Sequence, residues 1–278
     1  MLSSSSSLKQ YHVIEWITAF TLIFLWYVSE SAAPFTREFI ISDPTINHSH
    51  VVVERVSSEA CILYTIIIPF FVLIGLSAIL APRPQDRLKF MSITLSTFLV
   101  AAFFNGFITN FLKIYMGRHR PDFISRCEPS KRAPTDSYVT IEVCTGDMDT
   151  ILEGMKSTPS GHSSTAFVGM TFFCLWVYGQ INAYKTYGSK ASKLLLAFFP
   201  LLLAVYIALS RTEDYRHHFV DIVLGSLLGM TIAYYFYRRE FPKTTSKTSQ
   251  IPYCLGSEGA GDDHHYERVD DVQLENQV

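Results

Sequence analysis

An all-helical membrane bundle of about six spans is the fold this sequence predicts, on three observations. Hydrophobic residues make up 49% of the 278 and charged residues only 17%. The apolar residues gather in runs near the ~20 residues that ~30 Å of hydrocarbon demands, rather than alternating with polar ones. Lys and Arg concentrate in alternate connections between those runs, as repeated membrane crossing requires.

Taken in order, residues 1–12 are a serine-rich leader expected to be disordered. Residues 13–28 supply a first apolar helix ending on Trp26 and Tyr27, aromatics suited to a headgroup boundary. Ser31, Ala32 and Ala33 also fit a signal-peptide cleavage site, against which Glu15 interrupts the apolar segment. Further runs cover residues 61–80, 91–112, 163–181, 194–209 and 219–237. The connection 81–90 carries Arg83, Arg87 and Lys89, the connection 182–193 carries Lys185, Lys190 and Lys193, and the last run is followed by Arg238, Arg239, Lys243 and Lys247. The positive-inside rule makes these regions, and both termini, cytoplasmic. The loops 29–60, 116–159 and 210–218 then share the lumenal or extracellular face.

The organisation expected is therefore a leader over 1–12, a transmembrane domain over 13–239 and a disordered acidic cytoplasmic tail over 240–278. In that tail His264 and His265 lie beside Asp262 and Asp263, a metal-binding pattern that an ordinary solvated acidic tail explains better. A formal net charge of -2 leaves no basic stripe to track a phosphodiester backbone, which argues against a nucleic-acid partner. Of the five cysteines, only Cys127 and Cys144 share a polar loop, and they are a candidate disulfide if that loop faces an oxidising lumen, two free thiols being the plainer reading. Asn47-His48-Ser49 is a glycosylation acceptor pattern on the same face.

Three ionisable clusters lie where lipid should meet water. The first ends an apolar run with Lys113, Arg118, His119 and Arg120. In the second, Pro159, Ser160 and Gly161 precede an apolar helix, so free backbone N–H groups and the positive helix end would face an anion, with Ser160 adding a hydroxyl donor and His162 within reach. In the third, His217 and Asp221 are four apart; a helix starting near Tyr215 would set them on one face, where the carboxylate would hold the imidazole and leave its other nitrogen free to attack. Each cluster also has a plainer reading: a helix-end pair, an ordinary cap, or long side chains snorkelling to headgroups, which accounts for Arg118 or Arg216 and for Lys113 taken singly. Cations near a bilayer are costly, however, and several converging at one boundary call for a bound anion such as phosphate.

Lys113 through Arg120-Pro121, Pro159-Ser160-Gly161-His162, and Ser210-Arg211 through His217 and Asp221, in that order and spacing, resemble the type 2 phosphatidic acid phosphatase, or lipid phosphate phosphatase, family over about residues 13–239. The first loop, with Pro34-Phe35, Arg37-Glu38-Phe39 and Asp43-Pro44, is more loosely similar to eukaryotic members, particularly fungal diacylglycerol pyrophosphate phosphatases. The resemblance implies that His217 attacks phosphorus to form a phosphohistidine, Asp221 orients it, and His162 protonates the leaving alkoxide. It further implies that Lys113, Arg120, Ser160, Gly161 and Arg211 hold the phosphoryl oxygens. Protein cations would then do what magnesium does in many phosphatases, so no metal or other cofactor is expected. His218 and His119 receive no catalytic role.

The expected partners are a lipid phosphate substrate and the bilayer itself. Phosphatidate, lysophosphatidate and diacylglycerol pyrophosphate lead the substrates, with polyprenyl pyrophosphate or sphingoid-base phosphate as the alternative. A transporter would line the midplane with its ionisable groups, and an inactive lipid-binding relative would lack one of the three signatures. The organelle stays open among vacuole, Golgi, endoplasmic reticulum and plasma membrane, as does the oligomeric state.

Overall fold

A backbone crossing hydrocarbon must satisfy its own N–H and C=O groups within the segment, so apolar runs of this length fold as helices. The computed structural model describes residues 12–183 and 189–256. In chain order it contains α1 (Val13–Glu30), β1 (Phe39–Ile40), α2 (Ser58–Ile79), α3 (Arg87–Met116), α4 (Phe123–Cys127), β2 (Tyr138–Val139), α5 (Met148–Glu153), α6 (Gly161–Ala183), α7 (Lys190–Phe198), α8 (Leu201–Glu213), α9 (Phe219–Glu240) and α10 (Tyr253–Gly256). Five of these, α1, α2, α3, α6 and α9, are each long and apolar enough to cross a membrane. Taken together, α7 and α8 pass the same test of length and composition as a sixth candidate, bent by 42° at Pro200, which has no N–H to continue the helical ladder. The protein is thus a multi-pass helical membrane protein with five or six candidate spans, and the run 194–209 is broken at Pro200.

The central helix is α6, which touches α3, α8 and α9. Its closest neighbour is α9, brought in by Gly225 and Gly229, one turn apart on the buried face. A Cβ on Gly225 would fall 2.5 Å from the Ser160 carbonyl oxygen, and one on Gly229 would fall 2.8 Å from the Val168 nitrogen. Small residues at this spacing let two backbones meet, the way helices associate where lipid removes the hydrophobic drive. This contact sets Ser160, at the head of α6, against the first turns of α9.

The loops 31–57 and 117–160 fold into one cap over this end of the bundle. β1 pairs antiparallel with β2, Phe39 opposite Val139, and the cap has its own apolar cluster of Phe39, Ile46, Phe123, Ile124, Val139, Ile151 and Met155. Cys127 and Cys144 are bonded sulfur to sulfur within it. His119 sits against the Phe39 and Phe123 rings, and burial pushes its imidazole down to about 4, so it packs as a neutral ring. Asn47 is exposed at the surface of the cap.

At the opposite end the chain does not become a free tail at residue 240, as its polar composition suggested. Phe241 is fully buried and stacks on Tyr237 at 5.2 Å, the Ser249 hydroxyl donates to the Gly179 carbonyl at 2.8 Å, and Leu255 is buried beside the start of α3. The packed unit therefore extends to Gly256. Two buried apolar side chains, Phe241 and Leu255, and one buried hydrogen bond from Ser249 outweigh the polar residues between them, a balance that mean composition hides. The acidic stretch with His264 and His265, and the leader up to Tyr11, lie outside the described residues. His12, the one leader residue described, is buried.

Because Gly225 faces a backbone carbonyl that cannot rotate away, Gly225→Ala should lose about 1–3 kcal/mol, read as a lower thermal midpoint in detergent. Ser226→Ala, on the flank of the same helix, should stay within about 0.5 kcal/mol.

Candidate active site

The three clusters meet beneath the cap. α3 delivers Lys113 at its last turn, and the chain beyond it is pinned by Arg120 N–H donating to the Gly154 carbonyl at 2.8 Å. α6 begins at Gly161, where the Ser160 hydroxyl accepts from Ser163 N–H at 3.4 Å, the cap expected of a serine there. A Cβ on Gly161 would lie 3.3 Å from the Lys113 Nζ, so the glycine leaves that ammonium room beside the head of α6. α8 carries Arg211 in its last turn, and the seven-residue step from Arg211 to His217 is folded back so that the N–H groups of Arg216 and His217 both donate to the Arg211 carbonyl, at 3.0 and 3.2 Å.

His217 is almost completely buried. Burial first, then the positive charges of Arg120, Lys113 and Arg211 and the neighbouring His162, hold its imidazole well below the ordinary 6.5. It is therefore neutral at physiological pH, with a lone pair available. Its Nδ1 is buried without a protein hydrogen-bond partner, as are the Nε atoms of Arg120 and Arg211. Imidazole and guanidinium donors left unmatched at one point suit an incoming group rich in acceptor oxygens.

Asp221 differs from expectation in what it holds. The helix starts at Phe219, not near Tyr215, so His217 stands outside it and does not share a helical face with Asp221. The Asp221 carboxylate, fully buried, accepts instead from the Ser157 hydroxyl at 2.6 Å, the Thr158 hydroxyl and the His218 N–H at 3.0 Å, with the Arg118 guanidinium 3.4 Å away. Its own backbone carbonyl takes the Ser160 N–H at 3.0 Å. A buried carboxylate gathers the nearest strong donors, and here these are the residues just ahead of α6. Asp221 thus ties the second cluster to the peptide that follows His217. His218 Nε2 donates to the His119 carbonyl at 3.2 Å, a packing contact.

The residues missed in the sequence lie in the first loop. Val51 to Ser57 runs across the mouth of the site as a strap. Its Val56 carbonyl accepts from Arg211 Nη1 at 2.8 Å and from His162 Nε2 at 3.2 Å. Glu54 bridges Arg211 and Arg216, one carboxylate oxygen 3.1 Å from each, and Arg55 pairs with Glu213 and with the buried Asp214 at 2.7 and 2.8 Å. Arg216 is buried, so snorkelling does not describe it. Arg120 in turn pairs with Glu153 of α5. Only the Arg211 and Asp214 contact, three apart at the end of α8, carried a spacing signal; the others named here join residues 33 to 165 apart in the chain.

Five or six candidate spans, with buried arginines and two histidines gathered beneath a cap at one end, define the class: a multi-pass helical membrane protein with a cationic site. The chain belongs to the PAP2 superfamily, whose family model matches residues 94–244. It is 41% identical over 223 residues to diacylglycerol pyrophosphate phosphatase 1 of Saccharomyces cerevisiae, covering 80% of this chain and 76% of the relative. It is 35% identical to the probable diacylglycerol pyrophosphate phosphatase 1 of Schizosaccharomyces pombe, covering 79% and 77%, and 30% identical to lipid phosphate phosphatase 2 of Arabidopsis thaliana, covering 86% and 81%. No solved structure gives a significant match to the chain.

In protein labelled selectively at histidine, the His217 ring should titrate well below 6.5 by NMR in detergent. Arg120→Gln removes a like charge and should move that midpoint upward; an unchanged midpoint would show that Arg120 does not act on His217.

Proposed function

We propose that the protein is a lipid phosphate phosphatase that hydrolyses phosphatidate, lysophosphatidate and diacylglycerol pyrophosphate through a phosphohistidine at His217. The observation that carries this reading is a buried, neutral His217 under the combined charge of Lys113, Arg120 and Arg211 and beside His162. The names of the relatives, diacylglycerol pyrophosphate phosphatases and lipid phosphate phosphatases, support the substrate class.

In this mechanism the substrate phosphate lies against Lys113, Arg120, Arg211 and the head of α6 at Ser160 and Gly161. A lone pair of His217 attacks phosphorus, the bond to the leaving oxygen breaks, and His162, which takes up a second proton when the anionic phosphate lies against it, gives that proton to the leaving oxygen. A carbonyl can only accept, so Val56 assigns the His162 Nε2 proton and leaves Nδ1 as the nitrogen that exchanges the second one. Water then attacks the phosphohistidine, returns a proton to His162 and frees inorganic phosphate. Asp221 positions His217 through the His218 N–H and does not touch the ring. Hydrolysis of a phosphate monoester is among the slowest uncatalysed reactions, with accelerations up to ~10²¹, so nucleophile, acid and charge clamp have to act together.

The positive-inside pattern supports cytoplasmic termini with the cap on the opposite face, and the Cys127–Cys144 bond and the exposed Asn47 fit an oxidising, glycosylating compartment.

Purified protein should release phosphate from phosphatidate with chelator present, and His217→Ala should abolish release while inserting normally; strict magnesium dependence, or a fully active His217→Ala, would refute the reading. Arg120→Lys should lower kcat/KM by about tenfold or more, since the forked donor is lost.

A further inference from the structure

Each of the two clamp arginines already carries a carboxylate, and the two come from different parts of the cap. Arg211 is paired with Glu54 of the strap and Arg120 with Glu153 of α5. The arginine side chains are 1% and 5% exposed, the carboxylates 23% and 44%. The cations are therefore fixed in the floor while the anions reach them from the open side, along the direction a headgroup must enter. Glu54 also spans to Arg216, whose Nη2 is further held by the Val51 carbonyl at 2.8 Å, so the bridge is anchored on both sides. The family match begins at residue 94, which leaves Glu54 outside it.

We propose that Glu54 and Glu153 are resident counter-anions that set a charge threshold for entry, so that phosphomonoester and pyrophosphate headgroups displace them and the monoanionic phosphodiester headgroups of bulk phospholipids do not. The inference rests on the lipid phosphatase reading and adds what the site excludes. A membrane-facing clamp of several cations is bathed in phosphodiester lipids at high local concentration. A phosphodiester brings one negative charge, less than the two carboxylates it would replace, whereas a phosphomonoester brings about -1.5 to -2 near pH 7. Discrimination of this kind comes from a built-in competitor rather than from extra contacts to the preferred ligand. The same competition lowers the affinity for inorganic phosphate and hastens its release.

The test uses the full-length protein in detergent micelles, with Glu54→Gln and Glu153→Gln made separately so that each carboxylate is judged alone and a variant that does not fold leaves the other to decide. Inorganic phosphate, added to a thermal-shift assay that needs no turnover, should reach half-effect at least fivefold lower in either variant. Phosphatidylglycerol mixed into the micelles should inhibit phosphatidate turnover weakly in the unsubstituted protein and at least fivefold more strongly in the variants. Unchanged or weaker phosphate binding, together with unchanged sensitivity to phosphatidylglycerol, would overturn the proposal. Phosphatidate turnover by the unsubstituted protein tests the phosphatase reading independently.

Discussion

Keeping guanidinium groups desolvated at the edge of a bilayer is the constraint on which the rest of this architecture depends. Arg120, Arg211 and Arg216 are all buried, and each would be strongly destabilising without compensation. The compensation comes from Glu54, Glu153, Asp214 and the carbonyls of Val51 and Val56, of which all but Asp214 belong to the cap. The cap is therefore an electrostatic partner of the bundle as well as its cover. Its small apolar cluster and its disulfide serve to keep those partners in place.

A second dependence runs through Asp221. One carboxylate gathers Ser157, Thr158 and the His218 N–H, and the same residue's carbonyl gathers Ser160, so the start of α6 and the start of α9 become one object. The glycine contact at Gly225 and Gly229 makes that closeness possible from below. His162 and His217 thus inherit their relative placement from backbone and carboxylate contacts, not from any direct bond between them.

Much of this was legible in the sequence, for physical reasons that also mark where legibility stops. Spans are read from composition because hydrocarbon imposes a length, and the three clusters are read from position because ionisable residues at helix ends are costly unless used. Lys113, Arg120, His162 and Arg211 all lie close enough to His217 for their charges to act on it. Glu54 and Arg216 were not legible: their partners are far away in the chain, and a charged residue in a loop looks the same whether it meets water or a buried cation. The helix start near Tyr215 was misread because spacing alone does not reveal that the folded-back turn after Arg211 delays α9 to Phe219. The docked segment after Glu240 was misread because two anchoring apolar residues and one buried serine scarcely alter its average polarity.

That docked segment has a practical consequence. Since Phe241, Ser249 and Leu255 close the end of the bundle away from the pocket, a fluorescent reporter or affinity handle joined directly behind α9 would compete with native packing. A fusion that respects this packing keeps the chain intact through Gly256.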